Sequence, residues 1–586
     1  MLNLLAKYSV DQGLVAKPGY APKTVKWALQ FAGDGRFLGI VELGDTSQAK
    51  NPGMEFAKCP DLPPNVVAGG GEGRSHFLAE TAQVVCLVFK DEAECEEKTE
   101  KVQGKRRFFI RLLREASHDM PLLLPVAESL DDEAVVLQIQ AACTTAKVKP
   151  TEKVTLHIGG SYPVESDAWH RWWDEFRISL QPERSGADLM RCFMTGEMRE
   201  ALSTQPKIRG LSDVGGIAMG DALICFDKDA FKSYGLEQAA NCAVCEESAA
   251  AYKSALDHLI SKHSRRLAGA KVAHWFSHSM AVEDDPLAWL VDGLSDEQEE
   301  RGAQGAAKRL LESIRTGVKA DLGNYQYYAL TLSGAAGRVM VRDWMEGSFE
   351  QLAGNISAWF DDLSIVRRDG SGIAPCPKFM AVLGGTVRDL ADVPPPIASR
   401  MWRTAVTRTP IPRQAMVQAL ARAKVGIIQD EPANHARMGL IKAFHIRNAG
   451  GGESMTAYLN EEHPHPAYQC GRLMAVLADL QRAALGDVGA GIVQRYYSAA
   501  SSTPALVLGR LTRTSQFHLS KLDAGLAYWF NGRIADIWAR IENSLPATLT
   551  LEEQSLFALG YYQQIAANRN KTGNTSTNEP KEDTDV

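Results

Sequence analysis

Three consecutive prolines, Pro394-Pro395-Pro396, divide the chain into two stretches of different texture. Proline lacks an amide hydrogen and fixes its own φ, so neither a sheet ladder nor a helix interior runs through such a triplet. Before it, short apolar runs alternate with turns and a few helical patterns. After it, the reading is almost wholly helical. The chain has 586 residues, too many for one core, since a single core stops growing near ~250–300 residues. The expectation is an α+β protein: a mixed N-terminal α/β region followed by a C-terminal all-α helical bundle. The expected parts are 1–150, 151–398, 399–568 and a disordered tail, 569–586, which is nearly free of large apolar side chains.

Local signals support this division. Val25–Leu29 and Phe37–Val41 flank Gly33-Asp34-Gly35, a hairpin signal. Val154–Ile158 and Gly337–Trp344 read as strands, and Ala249–His263 as a helix. In Pro466–Leu485 the residues Leu473, Val476, Leu477 and Leu480 recur at helical spacing. Thr503-Pro504 reads as an N-cap with proline at the first helical position. Thr550-Leu-Glu-Glu553 reads as a capping box.

Charge excludes little once it is located. The formal net charge is −7, which taken whole disfavours a basic nucleic-acid binder. Yet an acidic run, Asp91–Glu100, precedes a basic one: Lys101, Lys105, Arg106, Arg107, Arg111 and Arg114. Between Arg400 and Gly450 lie Arg400, Arg403, Arg408, Arg413, Arg422, Lys424, Arg437, Lys442 and Arg447. Only Asp430 and Glu431 oppose them. A cationic face of that size is expected to take an anionic partner.

No motif for catalysis stands out. The cluster Gly69-Gly70-Gly71-Glu72-Gly73-Arg74-Ser75-His76 lacks the third glycine of a dinucleotide loop, and Gly104-Lys105 lacks the frame of a P-loop. Asp131-Asp132-Glu133 therefore reads as a solvated turn, and His118-Asp119 lacks further partners. Cys242-x2-Cys245-x12-His258-x4-His263 has zinc-finger spacing. Its filling is wrong, with Ala249 and Ala255 where core side chains belong, and His463-Pro-His465 is too isolated for a metal pair. The expectation is no catalytic residue, no metal and no cofactor. Residues Met1–Lys7 lack a basic n-region and no apolar run reaches membrane length, so the expected compartment is the cytoplasm, with no membrane partner. Ten cysteines are too sparse for a disulfide scaffold.

Several longer stretches carry a resemblance. They are Leu459–Glu462 with Pro466–Leu477, Arg495–Pro504, His518–Leu522 and Pro546–Tyr562. Upstream, Thr195–Glu197, Phe231–Gly235 and Leu332–Arg338 join them. Together they resemble the Csd-type large subunit of the subtype I-C CRISPR Cascade surveillance complex, over nearly the whole chain. The resemblance implies a non-catalytic subunit of a crRNA-guided complex. Such a subunit reads the protospacer-adjacent motif (PAM) on double-stranded target DNA, helps open the duplex and holds the displaced strand. Its implied partners are the crRNA-containing backbone, the crRNA-end-binding subunits, a small subunit and a separate helicase-nuclease.

The resemblance also implies a PAM-reading loop over Gly71–Leu78, with His76 and Glu80 where Asn and Asp are more usual. The candidate PAM contacts are Gly70, Gly71, Arg74, Ser75, His76, Lys105, Arg106 and Arg107. Candidates for the displaced strand are Arg400, Arg403, Arg408, Arg413, Arg422, Lys424, Arg437 and Lys442. The region from about 455 resembles the small subunit, and Met455 is the favoured internal start for a separate product. Two other functions compete: an assembly scaffold that binds only the crRNA complex, and a nuclease with an unrecognised site.

Overall fold

A computed structural model describes the chain except residues 15–18, 46–50, 63–66, 68–72, 181–188, 203, 292–296, 317, 432–433, 449–453, 487, 489–490, 543 and 574–586. It is α+β, as expected. Two compact units emerge: residues 1–210 with 218–258, and residues 211–217 with 259–586.

The first unit opens with helix α1 (Leu2–Asp11). Strands β1 (Tyr20–Val25) and β4 (Met54–Pro60) pair antiparallel. Strands β2 (Trp27–Phe31), β3 (Phe37–Glu42), β5 (Ala79–Thr81) and β6 (Lys153–Ile158) form a sheet in the order β3-β2-β6-β5. The Gly33–Gly35 turn joins β2 to β3 as predicted, and the Asp34 carboxylate accepts from the Arg36 amide at 3.0 Å. Strand β6 runs parallel to β2, with Leu29 opposite Leu156. Parallel neighbours need a long crossover. It includes β3, β4 and β5 and then the helices α2 (Ala82–Cys86), α3 (Glu92–Ala116), α4 (Leu123–Asp131) and α5 (Glu133–Ala146). The expected break at 150 thus falls inside one unit, because β6 completes its sheet. Helix α6 (His170–Ser179) brings Trp169 and Trp173 into the same core. A short hairpin, β7 (Leu189–Arg191) with β8 (Met198–Glu200), and the pair β9 (Lys207–Ile208) with β10 (Asp221–Ala222) follow. Helix α7 (Glu246–Lys262) starts three residues before the predicted helix and ends one residue short of His263.

The second unit contains four antiparallel strands in sequence order. They are β11 (Ser264–Leu267), β12 (Ala270–Phe276), β13 (Gln326–Ala335) and β14 (Arg338–Ser348). Helices α8 (Pro286–Val291), α9 (Glu297–Arg315), α10 (Phe349–Leu363) and α11 (Phe379–Gly384) precede the proline triplet. The triplet is a helix start: Pro395 is the first residue of α12 (Pro395–Thr407). Then come α13 (Arg413–Ile428), α14 (His435–Asn448), α15 (Pro466–Leu485), α16 (Ile492–Ala500), α17 (Pro504–Leu519), α18 (Ala524–Ile541) and α19 (Leu551–Gly573).

One hydrophobic core runs from Leu267 to Ala566, joining strands to bundle. The expected break at 398 therefore also lies within a unit. Helix α19 extends through 569–573; the rest of the expected tail lies outside the described residues. The Thr550–Glu553 box forms, with Thr550 N donating to Glu553 Oε2 at 2.8 Å and Glu553 N to Thr550 Oγ1 at 3.3 Å. Thr503 stands at the N-cap position with Pro504 first in α17, as expected, but its hydroxyl donates back to the Ala499 carbonyl at 3.0 Å and makes no cap hydrogen bond.

Candidate nucleic-acid surfaces

In the first unit, the acidic and basic runs near residue 100 are one helix. Asp91 caps α3, accepting from Glu94 N at 2.8 Å. Acids fill its first turns and bases its later ones, the arrangement a helix dipole favours. Lys98 pairs with Glu94 at 2.8 Å, Arg111 with Glu115 at 3.5 Å and Arg114 with Asp131 at 2.5 Å. Lys101 and Arg107 are exposed and Lys105 is half-buried. Arg106 points inward. It is buried, and its guanidinium donates to the carbonyls of Val85 and Leu130. It is a strut between helices, so its assignment to DNA is corrected.

The described end of the glycine loop lies on the same helix. Gly73 has φ +72°, and a Cβ there would sit 3.2 Å from Lys105 Cγ and 3.6 Å from the Lys101 carbonyl oxygen. Lys101 and Lys105, four residues apart, share that face. Gly73 and the basic run, read separately in the sequence, therefore meet.

Beyond Gly73 the chain is pinned. Phe77 is fully buried against Trp169, Trp172 and Trp173, with ring centroids 5.1–5.9 Å apart. Leu78 follows at φ +57°, a conformation non-glycine residues adopt only under tertiary constraint. Its carbonyl accepts from Thr155 Oγ1 at 2.9 Å. The buried Glu80 carboxylate takes the amides of His76 at 2.8 Å and Thr81 at 2.7 Å.

His76 is partly exposed. Its Nδ1 accepts from the Leu62 amide at 3.3 Å, and burial followed by the nearby Lys23 ammonium pushes its pKa down to about 4. The ring is therefore neutral at pH 7, and its approach to Asp61 at 3.5 Å is not an ion pair. With Nδ1 accepting, Nε2 carries the proton and is the available donor. Arg74 is half-buried. Ser75 is corrected: it is fully buried, with no partner for its hydroxyl among the described residues. Gly70 and Gly71 lie outside the described residues.

In the second unit, the basic stretch after residue 400 disperses. Arg403 donates to Asp343 on β14 at 2.5 and 2.9 Å. Arg413 pairs with Glu552, and Lys424 donates to Gln554 on the same helix, α19. Arg422 lies 3.8 Å from Glu431. Arg447 pairs with Asp362 at 2.7 Å. Arg437 and Lys442 are buried, and burial lowers both pKa values. Arg437 donates from Nε to the Gly385 carbonyl at 2.8 Å. Acids distant in sequence thus neutralise this window. Of the eight candidates only Arg400 and Arg408 remain exposed without an ion pair among the described residues. The continuous basic face is corrected to these two positions.

The larger free cationic face lies on α17, where the sequence reading did not place it. Leu508, Leu511, Ser515 and Leu519 are buried on one side. The opposite side presents Leu506 (76% exposed), Arg510, Arg513 and Phe517 (72% exposed), with Lys521 just beyond the helix. No acid occurs between Asp487 and Asp523, while Arg495, Arg510, Arg513 and Lys521 do. That acid-free window was the available signal. It escaped because four cations spread over two helices give a lower density than the Arg400–Arg447 run.

The zinc-finger spacing does not converge. His258 Nδ1 contacts the Tyr8 hydroxyl at 3.0 Å, while Cys245 Sγ lies 3.7 Å from Cys192 Sγ. His465 caps α15 through Nδ1, and His463 stacks on Tyr468 at 4.2 Å. Among the described residues no three His, Cys, Asp or Glu side chains are grouped to hold a metal. No described helix is long and apolar enough to cross a membrane. Met455 is buried in the core of the second unit.

Comparison with known families puts this α+β chain among the CRISPR-associated proteins. It belongs to the Cas_Csd1 family, which matches residues 4–568. The resemblance to a Csd-type large subunit of type I-C Cascade therefore holds over nearly the whole chain. No curated protein matches it.

Proposed function

We propose that this chain is the non-catalytic large subunit of a type I-C interference complex. It reads the PAM on duplex DNA through the glycine loop, whose described end, Gly73, lies against α3. It helps unwind the duplex, steadies the displaced strand, and leaves cutting to a recruited helicase-nuclease. The observation that carries the nucleic-acid reading is the acid-free stripe of α17. Arg510 and Arg513 can neutralise phosphates, while Phe517 and Leu506 offer apolar surface on which unpaired bases stack. Duplex bases are already stacked, so an exposed aromatic side chain, Phe517, beside arginines favours a single strand.

In unit one, Lys101, Lys105 and Arg107 supply backbone contacts, and the His76 Nε2–H is the base-edge donor toward a groove acceptor. Neither role requires a chemical step by this chain. The test is binding of fluorescent single-stranded DNA by the assembled complex carrying the Arg510→Gln, Arg513→Gln double variant. Weaker binding with an unchanged melting temperature supports the reading. Unchanged binding removes α17 from the strand's path.

A further inference from the structure

In the first unit, two buried cysteines face each other where the β7–β8 hairpin meets the start of α7. Cys192 Sγ lies 3.7 Å from Cys245 Sγ, and Ser248 Oγ lies 3.2 Å from the latter. Both thiols are free. The backbone fixes their approach. The Phe193 amide donates to the Ala243 carbonyl at 2.7 Å and the Leu202 amide to the Val244 carbonyl at 3.1 Å, lacing the hairpin to the residues that lead into α7. The turn closes on itself: Gly196 N donates to the Cys192 carbonyl and Cys192 N to the Glu197 carbonyl, each at 2.8 Å.

The surroundings of Cys192 favour its thiolate. The turn directs the Met194 and Thr195 amides and the Thr195 hydroxyl at its sulfur, and the Cys245 amide joins them. Burial by itself raises a thiol's pKa, but these donors, the Cys245 amide foremost, outweigh it and bring Cys192 down to about 6. Cys242 is pushed up instead, by burial and then by the charge on Cys192. The thiolate is the nucleophilic form of cysteine. We propose that Cys192 and Cys245 are a peroxide-reactive dithiol, with Cys192 the attacking sulfur and Cys245 the resolving one. The Cys192 thiolate attacks one oxygen of hydrogen peroxide. An S–O bond forms, the O–O bond breaks and hydroxide leaves, so the sulfur is oxidised to a sulfenic acid and the peroxide is reduced. Cys245 then attacks that sulfur. An S–S bond forms, the S–O bond breaks, and the Cys245 proton departs with the oxygen as water. Closing from 3.7 Å to the ~2.05 Å of a disulfide is a movement on the scale of a side chain. The cover over Cys192 is slight: β7 and β8 have three residues each, nearly all exposed, so local opening admits peroxide at little cost. The inference goes beyond the function proposed above and is independent of nucleic-acid binding.

The test is peptide mapping of the full chain after exposure to hydrogen peroxide, with the remaining thiols blocked by iodoacetamide. Trypsin should release residues 192–199 joined to 233–253, a link that dithiothreitol undoes. The second peptide also carries Cys242, so variants assign the partner. Cys242→Ser should keep the link. Cys245→Ser should abolish it and leave Cys192 as a sulfenic acid that dimedone traps. Cys192 should also be consumed roughly tenfold faster than the exposed Cys225. Absence of the linked peptide while Cys225 is oxidised overturns the proposal, and the wild-type map gives that result whether or not a variant folds. A link that persists in Cys245→Ser overturns it, because Cys242 would then be the partner. So does Cys192 reacting no faster than Cys225, or a wild-type chain that retains zinc and reacts only after chelation.

Discussion

Gly471 on α15 and Gly560 on α19 press into each other's helices. A Cβ on Gly471 would lie 2.0 Å from the Phe557 carbonyl oxygen, and one on Gly560 would lie 2.2 Å from the Tyr468 carbonyl oxygen. The obstructing atoms are backbone, so neither helix can yield by turning a side chain. Around this crossing the Tyr468 hydroxyl donates to Gln563 at 2.5 Å and Arg472 Nε donates to Gln564 at 3.0 Å. The two helices are thereby held in one register, which fixes where the bundle's outer helices can attach.

Gly471→Ala or Gly560→Ala should therefore destabilise the chain by about 3 kcal/mol, the upper range for overpacking. Gly509 is the control. It is helical, on the exposed side of α17, with open space where a Cβ would go. Gly509→Ala should stabilise by about 1 kcal/mol through helix propensity. Denaturant midpoints at constant slope measure both, and equal shifts in the two classes would contradict the packing account.

Stability should fall as pH drops below about 6.5. Burial pushes His445 and His463 down to about 4. His445 Nε2 contacts Ser555 Oγ at 2.7 Å inside the bundle. Between pH 4 and 6.5 the unfolded chain binds the protons that the folded chain refuses, so acid favours unfolding. The stability is fully present above the unfolded value and is lost down to the folded one. For the nearly inaccessible His445 the loss amounts to about 3 kcal/mol by pH 4. Chemical denaturation at a series of pH values, with His445→Gln as comparison, should show a flatter profile in the variant.

Removing a free cation should change salt dependence, and removing a paired one should not. Arg510→Gln and Arg513→Gln should each lower the slope of log K against log salt by about 1. Arg403→Gln breaks the pair with Asp343 and should lower the melting temperature while leaving the slope alone. A slope change for Arg403→Gln equal to that for Arg510→Gln would refute the distinction.

That distinction marks how far the sequence could be read. The β2–β3 hairpin, strand β6, helix α15 and the capping box of α19 were legible because each is set by neighbours in sequence. The family was legible for the same reason, in runs such as Leu459–Leu477. The basic face was not, because neutralisation is a tertiary fact: Asp343, Asp362 and Glu552 come from other elements. Arg106 misled likewise, since its place in a basic run says nothing of the carbonyls it meets. The convergence of Gly73 with Lys105 could not be inferred from two motifs some 30 residues apart.

Gly73→Ala should weaken recognition of duplex DNA with little global cost. The residue needs φ +72°, and the added methyl meets Lys105. The strain is about 1 kcal/mol. It falls on the loop, because Phe77 and Glu80 pin the chain beyond it. Melting temperature and duplex affinity measured together separate this outcome from simple unfolding.

The small-subunit-like region offers a check in cells. Met455→Leu changes a buried side chain for one of similar size, so the full-length product should accumulate normally. A shorter C-terminal product, if it starts at Met455, should disappear from immunoblots with an antibody to the C-terminal region. Its persistence would exclude this start.

The central claim is that this chain gives the complex its sensitivity to the PAM. The direct measurement is the affinity of complexes assembled with and without the chain, on PAM-bearing and PAM-less duplexes of otherwise identical sequence, at two salt concentrations. The account predicts a preference for the PAM-bearing duplex only when the chain is present. It also predicts a steep loss of affinity with salt. The same preference in complexes lacking the chain would contradict the account.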